Sequence, residues 1–473
     1  MFFLRVCIAK NSDSRRRPYM FNTITIPSGL EGFINTNTTI ANTVTDRSIY
    51  LIDGKLQERE EDRICPRCGR RMHIHDTYGI SLGHIPIGTT FSAVRFEKHR
   101  YICPECGATG MQEVPFQAGS RRITVALHSM AKDLLGLGFT NKAVAGITGL
   151  GKNTVKEIDK ERLLERYTID GKQLRRPERQ ARYLGVDEFL LHKGHEYATI
   201  IIDLETGHVL WLAHGKRKKA LCDFIDFVGE EWMDGVEAIA CDMNSDYQEV
   251  FDDRCPHIQV VFDYFHIRKN FNDKVVAAVR KDEQRRLLAE GRTEDAKKLK
   301  RTKYILSSNR STLKEKDEAS LKDRDAELED RIFSGGKVKE VKGGNMDLYE
   351  SLLKENGLIL MTDVVKEKLS HAYTLDDECR MSSEITEVID ICNDTGDKHF
   401  MWFARLLENH YEGIIAHATY RISSGKVEGT NNLIKTLRRR AYGYCDDDYF
   451  FLKIMDESRR EYVRNPKSHK IYD

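Results

Sequence analysis

The hydrophobic pattern of residues 181–215 predicts three β-strands. Tyr183 to Phe189 alternates as a half-buried strand does, and His195 to Glu205 is rich in Ile, Thr and Ala. Thr206-Gly207 then forms a tight turn into a third apolar run, Val209 to Ala213. Because short connections join antiparallel neighbours, we expect an antiparallel meander of three strands.

Two further strands follow, and each is reached through a helix. A helical pattern over Lys218 to Glu230 precedes the apolar run Val236 to Cys241, and a short helix after Ser245 precedes Ile258 to Phe262. Three antiparallel strands followed by two of this kind predict a mixed sheet of the ribonuclease-H-like type. From His266 to about Tyr420 the pattern is helical and highly charged, which predicts a helical insertion.

Residues 121–167 predict helices separated by glycine turns. After the break at Gly136 to Thr140 comes a short helix, Asn141 to Gly149, then a turn and a helix from Asn153. Thr140, and Lys152 or Asn153, lie where helix caps belong. This order is typical of a helix-turn-helix, whose second helix enters the major groove of DNA, although an ordinary helical hairpin is the alternative.

Local charge favours the DNA-binding interpretation of this segment. The whole chain has a net charge of +1, but Arg121 to Arg182 contains 14 Lys and Arg residues against 7 Asp and Glu residues. At the start of the second helix, the residues predicted to contact DNA are Lys152, Asn153, Thr154 and Lys156.

Two knuckles of the form C-P-x-C-G predict a zinc site. Cys65, Cys68, Cys103 and Cys106 supply four thiolates, and a glycine after each pair lets backbone N–H groups approach the sulfurs. The 34 residues between the pairs exceed the usual spacing, but β-type alternation in Phe91 to Tyr101 could fill a ribbon. His73 or His75 could replace one ligand, and two unrelated surface turns are the alternative.

The composition of the chain is typical of a folded protein that does not span a membrane. With 473 residues, of which 40% are hydrophobic, the chain can bury several cores, which excludes disorder. The apolar runs are too short to span a membrane, so we expect a soluble cytoplasmic protein without a membrane partner. Residues 1–60 include a Ser/Asn/Thr-rich stretch and are expected to form a poorly ordered arm or a small subdomain.

Two carboxylates lie where predicted strands meet. Asp187 is in the first strand of the mixed sheet and Asp242 follows the fourth. In a ribonuclease-H-like sheet these two strands are central neighbours, so the carboxylates would face each other as oxygen ligands for hard cations. Glu188 should point to the opposite face. Asp263 ends the fifth strand and could support the site or orient His266.

A third carboxylate is found before a strongly basic helix. Glu428 lies in S-G-K-V-E-G-T-N-N and is seven residues before Lys435, so both share one helix face and could hold metal and DNA phosphate together. Arg438, Arg439 and Arg440 would neutralise further phosphates. For any single acid here, a surface charge or a helix cap is the alternative.

These motifs together resemble a known family. The segments G-V-D-E-F with K-G-H-E-Y-A-T, C-D-M-N-S-D-Y, F-D-Y-F-H, and S-G-K-V-E-G-T-N-N-L-I-K with R-R-A-Y-G-Y resemble the DDE transposases of bacterial insertion sequences. The group in question has an N-terminal zinc-binding domain, a helix-turn-helix and a ribonuclease-H-like core with a helical insertion. The resemblance runs from about Cys65 to the C-terminus.

The resemblance implies functional residues and a domain order. It implies a catalytic triad of Asp187, Asp242 and Glu428 that binds two Mg²⁺ or Mn²⁺ ions, and structural zinc on the four cysteines. The expected divisions are an arm (1–60), a zinc-binding domain (61–117), a helix-turn-helix domain (118–180), a first core part (181–270), a helical insertion (271–415) and a C-terminal core part (416–473).

The resemblance also implies an activity and partners. A transposase would bind the terminal inverted repeats and cleave one strand by hydrolysis. The freed 3′-OH would then replace water as the nucleophile and attack target double-stranded DNA. Bringing two ends together requires a homodimer or a higher oligomer. A catalytically inactive relative that acts as a DNA-binding regulator, and a structure-selective nuclease, are the competing hypotheses.

Overall fold

The computed structural model describes residues 29–42, 48–215, 218–243, 245–318 and 344–460. The chain divides into two compact units, one up to Arg166 and one from Tyr167. Both contain sheets and helices, which confirms the mixed α/β character predicted from the sequence.

The first unit is built on a five-stranded sheet. Its order is β1-β2-β4-β3, and β5 pairs with the last residues of β4, Arg100 to Ile102. The pairs β1/β2, β3/β4 and β4/β5 are antiparallel, whereas β2/β4 is parallel. The strands are β1 (Phe33–Asn42), β2 (Ser48–Leu56), β3 (His73–Ile87), β4 (Thr90–Ile102) and β5 (Thr109–Met111), and a short 3₁₀ helix spans Glu60–Arg63.

The structure differs from the expected N-terminal arm. Residues 29–42 and 48–60 were expected to belong to a poorly ordered arm or a small subdomain, but β1 and β2 extend the sheet of β3 and β4. The physical reason is a small shared core: the Phe33 ring packs edge-on against Phe96 and Phe116, at centroid distances of 6.3 and 5.9 Å. The remainder of the expected arm, residues 1–28 and 43–47, lies outside the described residues.

Three helices complete the first unit: α1 (Val125–Gly136), α2 (Asn141–Thr148) and α3 (Lys152–Tyr167). Thr140 caps α2 as predicted, since its hydroxyl accepts a hydrogen bond from the Ala143 N–H at 3.2 Å. Gly149 ends α2 with a φ of 75°, a left-handed conformation that glycine adopts without steric cost. Because α3 begins at Lys152, both Lys152 and Asn153 lie in its first turn and not before it, one residue earlier than predicted.

The second unit contains all five strands predicted for the mixed sheet. Their order is β10-β9-β8-β11-β12. The pairs β10/β9 and β9/β8 are antiparallel, and β8/β11 and β11/β12 are parallel. The strands are β8 (Tyr183–His192), β9 (Glu196–Asp203), β10 (Val209–His214), β11 (Ala238–Cys241) and β12 (Gln259–Phe262), and a hairpin of β6 (Thr168–Ile169) and β7 (Gln173–Leu174) precedes them.

Helices connect and cover this sheet. Residues such as Leu221, Phe224 and Phe251 are fully buried against the strands and form one core with them. The connecting helices are α4 (Lys218–Val228), α5 (Glu230–Met233), α6 (Ser245–Arg254) and α7 (Tyr264–Asn270), and a π-helical turn, Phe271–Val276, continues from α7.

The described residues of the segment expected to be a helical insertion form helices joined by short turns. A buried polar group holds it together: Lys366 donates to the Tyr349 hydroxyl at 2.6 Å and to the Ser308 carbonyl at 2.8 Å. The helices are α8 (Ala277–Ala289), α9 (Thr293–Lys298), α10 (Lys303–Ser307), α11 (Asn345–Glu355), α12 (Gly357–Ala372), α13 (Glu378–Asp394), α14 (Lys398–Asn409), α15 (Tyr411–Ile415) and α16 (His417–Tyr420).

Two helices return to the sheet: α17 (Gly425–Ala441) and α18 (Asp447–Ser458). Helix α17 approaches β8 closely at Gly185, where a Cβ atom would lie 2.7 Å from Val427 Cγ2 and 2.8 Å from Leu204 Cδ2. The glycine therefore allows the helix to lie directly on the central strand. Among the described helices, none is long and apolar enough to cross a membrane.

Candidate functional site

The four predicted cysteines converge in the first unit. The Sγ atoms of Cys65 and Cys106 lie 3.6 Å apart, those of Cys68 and Cys103 3.5 Å, and those of Cys68 and Cys106 3.6 Å. Four sulfurs around one zinc ion would be about 3.8 Å apart, because Zn–S bonds are about 2.3 Å and tetrahedral. The donor set and its spacing therefore fit zinc.

The knuckle backbone prepares these thiols for a cation. Gly69 and Gly107 have φ values of 66° and 69°, and their N–H groups donate to the carbonyls of Cys65 and Cys103. Burial raises the pKa of the Cys65 thiol, but hydrogen bonds from the backbone of Arg67 and Cys68 outweigh this and lower the pKa to about 6. At Cys65, the thiolate, which is the form that binds metal, is thus favoured at neutral pH. At Cys68, a hydrogen bond from the Arg70 backbone lowers the pKa, but hydrogen bonds with the Cys103 and Cys106 sulfurs and burial outweigh it, so the pKa of Cys68 is raised.

Histidine ligands are not required at this site. In the described part of the chain, the four cysteines are the one group of three or more His, Cys, Asp or Glu residues whose ligand atoms all lie within 4.8 Å. His75 instead pairs with Asp76, at 2.6 Å between Nδ1 and Oδ2.

In the second unit, two predicted carboxylates lie on adjacent parallel strands. The register pairs Ala240 of β11 with Gly185 of β8, and Asp242 and Asp187 each follow two residues later. Both side chains are half-buried, and each accepts a hydrogen bond of 2.7 Å from the next backbone N–H. The middle of the sheet, where β11 ends beside β8, therefore presents two carboxylates that backbone hydrogen bonds hold in place.

Electrostatics link these carboxylates to each other and to a histidine. Burial raises the pKa of Asp187, and the negative charge of Asp242 adds to the rise. For Asp242, burial also raises the pKa, but the hydrogen bond and charge of His266 outweigh it, so the pKa of Asp242 is lowered. His266 Nδ1 lies 3.2 Å from Asp242 Oδ1. Burial opposes protonation of His266, yet the carboxylate outweighs this effect and raises its pKa.

Helix α17 brings the third carboxylate to the same region. Asn431, on this helix, donates from Nδ2 to Asp187 Oδ2 at 2.7 Å. Glu428 is one turn earlier on α17 and exposed to solvent. Because the four cysteines are the one such group in the described part of the chain, the carboxylate oxygens of Asp187, Asp242 and Glu428 do not all lie within 4.8 Å of one another. Asp187 and Asp242, which repel each other, are the pair whose charge a divalent cation would neutralise.

Asp263 anchors the start of α17. It is buried, caps α7 by accepting from the Phe265 N–H at 3.3 Å, and accepts from the Ser424 N–H at 3.1 Å. The Ser424 hydroxyl donates to the same carboxylate oxygen. Asp263 thus joins the end of β12 to the residue that precedes the helix of Glu428, a positioning contact that the sequence analysis left open. Its backbone carbonyl accepts from the His266 N–H at 3.1 Å.

Comparison with known proteins identifies the family. A family model described as a transposase matches residues 184–454, and one described as the zinc-finger of transposase IS204/IS1001/IS1096/IS1165 matches residues 61–106. The chain belongs to this transposase family. The resemblance predicted from the motifs is confirmed, and the second match together with the cysteine geometry supports a structural zinc site in the transposase.

Curated relatives agree with this assignment. The transposase for insertion sequence element IS1001 of Bordetella parapertussis is 27% identical over 394 residues, which is 83% of this chain and 87% of that protein. The transposase for insertion sequence element IS1557 of Mycobacterium tuberculosis is 25% identical over 413 residues, which is 81% of this chain and 82% of that protein. The transposase therefore matches these relatives over most of their length.

The predicted DNA-contacting residues of the transposase differ in their surroundings. On α3, Lys152 and Asn153 are exposed, and Thr154 and Lys156 are half-buried. On α17, the side chains of Lys435, Arg439 and Arg440 are exposed. Arg438 is half-buried: its guanidinium donates to the Leu190 carbonyl at 2.7 Å and lies 5.4 Å from the centre of the Phe450 ring.

Two residues of the transposase site escaped the sequence analysis. Asn431 and Ser424 both lie within the motif that supplied Glu428, but only the acid was singled out. Spacing could have revealed Asn431, because it follows Glu428 by three residues and so shares its helix face. Ser424 offered no such signal, since its partner Asp263 is 161 residues away.

Proposed function

We propose that this protein is an active insertion-sequence transposase that cuts and joins DNA with divalent cations bound at Asp187, Asp242 and Glu428. The observation that carries the proposal is the pair of half-buried carboxylates on adjacent parallel strands, Asp187 within β8 and Asp242 directly after β11, linked to α17 by the Asn431 hydrogen bond. Carboxylate oxygens are the ligands that Mg²⁺ and Mn²⁺ prefer. The strand order and the mixed pairing support a ribonuclease-H-like core.

The residues around the acids have separable roles in this proposal. Asn431 fixes one oxygen of Asp187, while the Glu188 N–H holds the other. His266 pairs with Asp242 and limits its rotation. Asp263 holds the start of α17, so Glu428 approaches from a fixed helix end. Two cations bound there would activate a water or 3′-OH nucleophile and stabilise the leaving oxygen of the phosphodiester.

DNA recognition is proposed to come from a helix-turn-helix formed by α2 and α3. Helix α3 opens with Lys152, Asn153 and Thr154, which would face base edges, while Lys156 would contact a phosphate. On α17, Lys435, Arg439 and Arg440 would neutralise phosphates near the cleaved bond. Arg438 would act less directly, because its guanidinium is engaged by Leu190 and Phe450. Double-stranded transposon ends and target DNA are the proposed partners.

We assign a role to each domain that the sequence predicts. The zinc-binding part around residues 61–117 would brace the helix-turn-helix part, and the insertion of residues 271–415 would separate the two core parts. Bringing two transposon ends together requires a homodimer or a higher oligomer.

Strand cleavage of end-labelled DNA carrying the element's own borders tests the proposal. With Mg²⁺, the wild-type protein should cut at the border, and Asp187→Asn, Asp242→Asn and Glu428→Gln should each reduce cutting by roughly a thousandfold or more, because each removes a metal ligand. Asp252→Asn is the matched control, since Asp252 is an exposed acid near the C-terminal end of α6. Specific binding without metal-dependent cutting by the wild type would favour a DNA-binding regulator instead.

A further inference from the structure

Tyr442 is an aromatic residue that folding does not explain. Its side chain is 99% exposed and lies directly after α17. Its backbone has a φ of 56°, a left-handed conformation that favours glycine and is costly for a side chain with a Cβ. A helix end of this kind usually carries glycine or asparagine. The position therefore combines backbone strain with a ring that contributes nothing to the core.

The neighbouring tyrosine shows the contrast. The Tyr444 ring stacks on Phe450, with a centroid distance of 4.4 Å and an interplanar angle of 23°. Gly443, with a φ of 106°, lies between the two tyrosines and turns the chain. The Gly443 N–H donates to the Arg438 carbonyl at 3.0 Å, which closes the helix end. Tyr444 thus anchors the turn, and the turn holds the Tyr442 ring out into solvent.

Tyr442 ends an exposed stripe that begins at Glu428. Residues 428, 432, 435 and 439 are exposed and recur at helical spacing, so they lie on one face of α17. Within the stripe, Lys435 and Arg439 carry positive charge, and Arg440, two residues before Tyr442 in the sequence, is also exposed. A polyanion that contacts Glu428 through a cation would therefore follow two or three basic side chains before reaching the aromatic ring.

This arrangement fits a DNA strand. Basic side chains neutralise phosphates, and aromatic rings stack on bases whatever their sequence. Tyr442 follows Glu428 by 14 residues, which is about 21 Å along a helix, or the length of about six base pairs.

We propose that the Tyr442 ring stacks on a DNA base about six base pairs from the phosphate that is cut. The inference rests on the proposed function, because it takes Glu428 as the marker of the cleaved bond. Stacking requires the base to leave the helical stack, so the ring would act as a wedge that holds the transposon end in one register. Tyr442 is in this sense a positioning residue for the reaction.

Three full-length variants test the inference. Tyr442→Gly removes the ring and relieves the backbone strain, so it should fold at least as stably as the wild type. Tyr442→Phe keeps the ring. Tyr304→Ala is the matched control, since Tyr304 is 81% exposed on α10 in the insertion. Each is titrated with border DNA that carries 2-aminopurine at one position, moved from roughly four to eight base pairs from the cleaved phosphate.

The expected results distinguish the contribution of the Tyr442 ring to DNA binding from that of the other residues of the site. The wild type, Tyr442→Phe and Tyr304→Ala should change 2-aminopurine emission at one or two adjacent positions, whereas Tyr442→Gly should change none and bind about tenfold more weakly. Wild-type affinity and emission in Tyr442→Gly, or equal losses in Tyr442→Phe and Tyr442→Gly, would overturn the stacking. If the wild type cuts the border but one of these two contradicting results is found, only the stacking inference fails and the proposed function stands. If the wild type neither binds nor cuts, the proposed function fails and the inference falls with it.

Discussion

Asn431 Nδ2 donates a 2.7 Å hydrogen bond to Asp187 Oδ2 and so joins helix α17 to the central strand of the sheet. The contact ties the first proposed metal ligand to the helix that carries the third. A polar side chain that holds a ligand in this way controls activity more than folding.

Replacing Asn431 should therefore damage catalysis selectively. We expect Asn431→Ala to reduce metal-dependent cleavage roughly tenfold to hundredfold, and Asn431→Asp to reduce it further, because a second negative charge would face Asp187. Single-turnover cleavage at several Mg²⁺ concentrations checks this. Asn393→Ala, at an exposed asparagine of α13, is the control and should cleave normally. Equal cleavage by Asn431→Ala and wild type would contradict the role of the contact.

The buried pair of Asp263 and Ser424 should be energetically coupled. We expect a coupling free energy of about 2 kcal/mol between Asp263→Asn and Ser424→Ala in a double-mutant cycle. Each substitution alone removes the same buried hydrogen bond to the carboxylate, so the double variant loses less stability than the sum of the two. Urea unfolding followed by tryptophan fluorescence measures this in the second unit, because all three tryptophans, Trp211, Trp232 and Trp402, lie there. Additive effects of the two substitutions would show that the contact does not hold the start of α17.

The close approach of α17 to β8 makes Gly185 a sensitive position. Gly185→Ala should destabilise the second unit by about 1 to 3 kcal/mol, because its Cβ would overlap Val427 and Leu204. Adding Val427→Ala should restore part of the loss by making room. As a control, Gly429→Ala should stabilise by about 0.5 to 1 kcal/mol, since it is helical and a Cβ there meets nothing within 4 Å. A neutral Gly185→Ala would contradict the packing described for this helix.

Zinc should be stoichiometric and depend on the knuckles. We expect about one zinc ion per chain by elemental analysis of the purified protein, and almost none in Cys103→Ser, because three thiolates and a hydroxyl hold the ion far less tightly. Cys379→Ser changes an exposed cysteine of α13 and should keep the metal. Retention of zinc by Cys103→Ser would argue against the four-cysteine site.

Much of the second unit could be predicted from the sequence for a physical reason. Strands such as β8 and β11 are short apolar runs bounded by turn residues, so their positions follow from local pattern alone. Their adjacency followed from the inferred sheet type, and it brought Asp187 and Asp242 to neighbouring strands. Helix boundaries are harder to predict than helix positions: α3 begins at Lys152, one residue before the predicted start.

The features that the sequence did not predict depend on contacts between residues that are far apart in the chain. Strand β1 contains many Asn and Thr residues, and β1 and β2 gain stability mainly by joining the sheet of β3 and β4, which local pattern does not reveal. The link between Asp263 and Ser424 spans 161 residues, and no local rule pairs them. Likewise, a run of three arginines does not indicate which one packs on the strand, and the fold selects Arg438.

The most direct measurement of the central claim is a change of metal preference at Asp242. Asp242→Cys exchanges a hard oxygen ligand for a soft sulfur, which Mg²⁺ binds poorly and Mn²⁺ accepts better. The account predicts that this variant fails to cut border DNA in Mg²⁺ and regains cutting in Mn²⁺, while Asp252→Cys cuts in both. Undiminished cutting by Asp242→Cys in Mg²⁺ would contradict the claim that Asp242 is a metal ligand of the transposase.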